Sequence, residues 1–110
     1  MHSDAMQWKP ATIEDVKQIL DQDLRSCDVK QASAFERFHV EPHFASIVRF
    51  GKLEQVVVVA QKEDQVIYWE DVEEGFGVSA VGADGQILDH DCSQNNLGLA
   101  LNSWIEGRGL

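Results

Sequence analysis

Val56-Val57-Val58-Val59-Ala60 is a run of five apolar residues, four of them valine, and no other stretch constrains the fold as strongly. Side chains of a strand alternate between its two faces, so a run with no polar member needs cover on both sides. Gln55–Gln61 therefore reads as a central strand, rich in β-branched residues. The polar turn Lys62-Glu63-Asp64-Gln65 follows, and Val66–Glu70 reads as the next strand. So short a connection makes the pair an antiparallel hairpin.

The same reading extends in both directions. Upstream, Phe44–Phe50 alternates, with Phe44, Ser46, Val48 and Phe50 on one face and Ala45, Ile47 and Arg49 on the other. Gly51-Lys52-Leu53-Glu54 then turns the chain. Downstream, Glu73-Glu74-Gly75 leads into Phe76–Val81, whose Gly77 and Ser79 put two small residues on one face. Ala83-Asp84-Gly85 signals another turn, and Gln86–His90 is a candidate fifth strand. Helical periodicity appears only at the two ends. Thr12 is placed to cap a helix over 13–26, with acids in its first turn and Ile13, Val16, Ile19, Leu20, Leu24 and Cys27 as its apolar stripe. A short helix fits 30–38, before Pro42 biases Glu41 toward extended backbone. Ser93 is expected to cap a closing helix from Gln94 to about Glu106, with Leu97, Ala100, Leu101, Trp104 and Ile105 facing inward. The expected fold is α+β, a four- or five-stranded antiparallel sheet with N-terminal and C-terminal helices packed on one face. A chain of 110 residues is expected to form one domain over 1–110, burying about two-thirds of its unfolded surface. Residues 1–6 read as a disordered or added extension, with Met6 as an alternative start.

Composition narrows function mainly by exclusion. There are 19 acids against 9 bases, a formal net charge of −10. Such a chain repels nucleic acid and anionic membrane and attracts basic partners. Its cations are scattered along the sequence, which argues against direct nucleic-acid binding. No run approaches the roughly 20 apolar residues of a membrane span, and the polar start is unlike a signal peptide. Cys27 and Cys92 lie 65 positions apart; without an export signal they read as two reduced thiols in a cytoplasmic protein.

One stretch combines charge with large apolar side chains. Tyr68-Trp69-Glu70-Asp71-Val72-Glu73-Glu74-Gly75-Phe76 sets four carboxylates beside aromatics, the composition that protein interfaces use for anchors and steering. The expected partner site is Tyr68, Trp69, Glu70, Asp71, Glu73 and Glu74. Strand alternation puts Tyr68 and Trp69 on opposite faces, so one is expected in the core and the other half-exposed. The acids on or after the first helix, Asp15, Asp21, Asp23 and Asp28, read as an ordinary solvated face.

Catalytic and metal patterns are weak. His39, Glu41 and His43 alternate, and His90 and Cys92 add two further ligand types, but the spacing matches no standard zinc motif. Cys92 with His90 lacks the features of an activated nucleophile. Asp84-Gly85 with Asp89 and Asp91 lacks the terminal glutamate of a calcium loop, and Gly75-Phe76-Gly77 lacks the third glycine of a phosphate cradle. No catalytic residue, metal or cofactor is expected.

Val56–Ala60, Val66–Phe76, Asp84–Leu88 and Gln94–Leu97 together span roughly residues 50–105. In size, acidity and order of elements the chain resembles small acidic bacterial toxin-immunity proteins, which block a cognate toxin in the cytoplasm. The resemblance is one of type and assigns no individual residue. It implies a non-enzymatic inhibitor, and the charge suits a basic target such as a nuclease. The alternatives are a homo-oligomeric regulatory or structural module, such as a homodimer, and a small-ligand or metal-binding protein using His39, His43, His90 and Cys92.

Overall fold

The structure is a computed structural model describing residues 11–49, 51–71, 74–88 and 95–105. Helices α1 (Ile13–Arg25) and α2 (Val29–Phe38) precede strands β1 (His39–Arg49), β2 (Lys52–Lys62), β3 (Gln65–Glu70) and β4 (Gly75–Ala80), and helix α3 (Leu97–Asn102) closes the order. The strands form one antiparallel sheet in the order β1-β2-β3-β4. No helix among the described residues is long and apolar enough to cross a membrane.

Local chemistry sets the helix starts. Thr12 and Asp15 form a reciprocal capping box on α1, and Asp28 and Gln31 form one on α2, each satisfying donors that the first turn leaves open. Asp23 and Asp28 are therefore structural, because Asp23 on α1 also accepts from the backbone N–H of Leu97 at 2.9 Å, at the first residue of α3. Gln31 donates to the Gly98 carbonyl and to Asn102, tying α2 to α3.

The β2 run is buried throughout, from Val56 to Ala60. Val57, Val59 and Ala60 join Ile67, Phe76, Val16, Leu20, Leu97, Ala100, Leu101 and Trp104 in the larger core, where all three helices pack on one face. Val56 and Val58 face the other way, into a second core with Ile47, Val66, Tyr68 and Ile87. Both faces are covered, as the run requires. A bulge between Val58 and Ala60 turns two successive residues toward the helices.

The second face is covered by an unexpected device. Ile87 bridges Ile47 of β1 in parallel and Val81, just after β4, in antiparallel fashion. Its N–H donates to the Ser46 carbonyl, and that of Leu88 donates to the Ala80 carbonyl. The first and last strands of the sheet thus share one partner, so the sheet curls around the second core. The 86–88 segment is a strap made of isolated bridges, and a fifth strand is absent among the described residues; Asp89 and His90 lie outside them.

Other boundaries differ as well. β1 starts at His39, directly after α2, and runs through Pro42 with a register break between His39 and His43. Leu53 and Glu54 belong to β2, and the turn before it contains Gly51 at φ 75°. The closing helix spans only Leu97–Asn102. Asn95 forms a bridge with Phe76 and accepts its N–H at 2.8 Å, which holds the chain extended there. Asn96 caps the helix through Leu99 N–H. Ser93, Gln94, Phe50 and Glu106 fall outside the described residues.

Candidate functional site

The acidic–aromatic tract runs from β3 through the connection to β4, and the fold uses much of it internally. Tyr68 is 0 % exposed and Glu70 only 3 %, so neither offers a contact surface in this conformation. Tyr68 pairs with Gly77 across β3 and β4. A Cβ at Gly77 would stand 2.9 Å from the Tyr68 ring carbon and hydroxyl, so glycine there makes room for the phenol. Trp69 lies on the opposite face, half-buried, with its ring edge-on to Phe76 at 5.1 Å. The division between one core and one half-exposed aromatic is the one strand alternation implies.

Asp71 is the hinge of the tract. One carboxylate oxygen accepts the Trp69 indole N–H at 2.6 Å, and the other accepts the backbone N–H of Ala11 at 2.7 Å. Charge-assisted bonds of this kind are roughly twice as strong as neutral ones. They pin the entry to α1, just ahead of its first-turn acids Glu14 and Asp15, onto the end of β3. Glu74 is exposed, at a left-handed φ of 52°. Glu73 lies outside the described residues. Among the described residues, the outward part of the tract is Glu74 with the open sides of Trp69 and Asp71.

The histidines are engaged locally. His39 Nδ1 meets the Glu36 carbonyl and His43 Nδ1 the Glu41 carbonyl, both at 2.9 Å. The register break in β1 falls between them, so simple alternation does not set their relative directions. His43 borders a cleft with Glu63, Asp64 and Val66 beside the strap. No group of three potential metal ligands occurs among the described residues; His90 and Cys92 lie outside them. Cys27 packs at the rim of the larger core. Burial, and then the Asp23 and Asp28 carboxylates, push its thiol above the ordinary value, which favours an inert thiol over a nucleophile.

The cations are less scattered than their sequence positions suggest. Lys30, Arg37 and Lys62 line one cleft, a grouping hidden because Lys62 comes from a different element. Comparison with known protein families, curated proteins and solved structures finds no match.

Proposed function

We propose that this chain is a non-enzymatic binding protein of the immunity type, which neutralises a basic toxin such as a nuclease. The observation that carries the reading is the net charge of −10 on a domain with exposed carboxylates at Glu14, Asp21, Glu41, Glu63, Glu74 and Asp84. A surface of that sign accelerates encounter with a cationic protein and makes it salt-sensitive. Nucleases present such surfaces because they hold phosphates. The contact we favour is the rim around Trp69, where Glu14, Asp15 and Glu74 supply charge and the open side of the indole supplies apolar area. Tyr68 and Glu70 act from within, by holding β3 and β4 in register. Capture from native-host extract, washed at low and then high salt, tests the reading. A basic partner retained at low salt and released at high salt supports it; a bait without any basic partner contradicts it.

A second reading has one specific observation behind it. Val48 and Leu53 pair across β1 and β2, Phe44 shares their face, and the three are 43 %, 71 % and 47 % exposed. Apolar side chains on a sheet edge suit self-association. Sedimentation over a wide concentration range tests it: a mass that stays monomeric rules it out.

A further inference from the structure

We propose that the cleft between α2, the end of β2 and the residues just after α3 binds a small organic anion that joins a doubly charged head, such as a phosphate ester, to an apolar body. The cavity holds about 560 Å³, within the range of roughly 300–1,000 Å³ typical of ligand pockets. Its position is independent of the acidic rim, so its failure would leave the partner reading untouched.

Sequence spacing builds one wall. Lys30, Ser33 and Arg37 recur at helical spacing along α2 and all line the cavity. Lys62, the last residue of β2, closes the other side. The Arg37 guanidinium carbon lies 5.2 Å and the Lys62 ammonium 5.5 Å from the centroid of the same ring, Phe38. That ring is in turn held edge-on to Trp104 at 5.6 Å, and the Trp104 indole donates to Gln65 at 2.9 Å. The floor is apolar and braced, and Arg37 and Lys62 both lie against its Phe38 ring.

Charge makes the arrangement informative. The chain has nine cations, and three of them line this one cleft. Lys17 pairs with Glu41 at 4.0 Å, and among the described residues no carboxylate forms an ion pair with Lys30, Arg37 or Lys62. Bringing like charges together is unfavourable unless an anion joins them. A guanidinium fork offers two parallel donors to a phosphate, an ammonium adds a point charge, and the Ser33 hydroxyl adds a donor. Phe38 and Ala34 receive the apolar part. A dianion with an apolar body uses both halves of the cavity.

The test is an NMR titration of the intact chain with phenyl phosphate, and separately with inorganic phosphate and benzyl alcohol. Saturable shifts are expected at Lys30, Arg37, Phe38, Lys62 and the Trp104 indole. Phenyl phosphate should bind roughly tenfold more tightly than either fragment. Arg37→Gln with Lys62→Gln should weaken it by about tenfold or more, while Lys52→Gln on the opposite hairpin end leaves it unchanged. Each single glutamine variant, measured alongside, keeps the test open should the double variant fold poorly. Shifts spread evenly over Lys17 and Lys52, or wild-type affinity in the glutamine variants, would overturn the proposal. So would an acidic peptide that occupies the cleft more tightly than phenyl phosphate.

Discussion

Replacing Asp71 by alanine separates a structural carboxylate from a steering one. Each oxygen of Asp71 holds one donor, the Trp69 indole at 2.6 Å and the Ala11 N–H at 2.7 Å. Hydrogen bonds to charged groups contribute about 1.5–3 kcal/mol each, which sets an upper figure near 3–6 kcal/mol for the pair. Asp71 is only partly buried, so water replaces part of what is lost, and a cost of about 2–3 kcal/mol is expected. For a chain of this size that corresponds to a fall in Tm of about 8–12 °C. Asp71→Asn retains one acceptor oxygen without the charge and should lose about half as much. Thermal unfolding followed by circular dichroism gives the stability, and the indole N–H resonance of Trp69 reports the broken bond. An alanine variant that melts with the wild type, with that resonance unmoved, would refute the clamp.

Three further outcomes follow from the packing. Gly77→Ala sets a methyl 2.9 Å from the Tyr68 ring, and should cost about 1–3 kcal/mol in urea unfolding; a neutral result would mean that Tyr68 yields freely. Ile87→Ala empties a site that is 2 % exposed in the second core, with an expected cost of about 2–4 kcal/mol, whereas Leu88→Ala, 57 % exposed, should change little. Equal effects would refute the strap. In a Cys92→Ser background, Cys27 should react with iodoacetamide more slowly than in urea-unfolded chain, with a pH midpoint above that of the unfolded chain. Because the folded state raises this thiol's pKa, its stabilising contribution is complete below the unfolded value and is lost as pH rises through the folded one. A midpoint at or below the unfolded one would contradict that environment.

How much of this was legible in the sequence depends on the distance over which each signal acts. The β2 run announced cover on both faces because side-chain alternation is a local rule, and Thr12 with Asp15 announced α1 for the same reason. The ends of β1 and α3 were less readable. Pro42 argues locally against a strand, yet pairing with β2 carries β1 through it. Asn95 is held extended by Phe76, a contact that helical periodicity around it cannot report. The strap at Ile87 joins strands about 35–40 positions apart in sequence and leaves only a weak alternating signature. In the site, alternation correctly separated Tyr68 from Trp69. The capture of Asp71 by Ala11, 60 residues away, and the meeting of Lys62 with α2 are products of tertiary packing alone.

The most direct test of the partner reading is association kinetics with the captured basic protein, for wild type and for a Glu14→Lys, Glu74→Lys variant, across a salt series. Steered encounter predicts an association rate that falls steeply with salt, and a variant slower by about tenfold or more at low salt. The two should converge at high salt, where the Debye length is a few ångströms (about 3 Å at 1 M). Salt-independent rates, or a variant as fast as the wild type at low salt, would contradict the account.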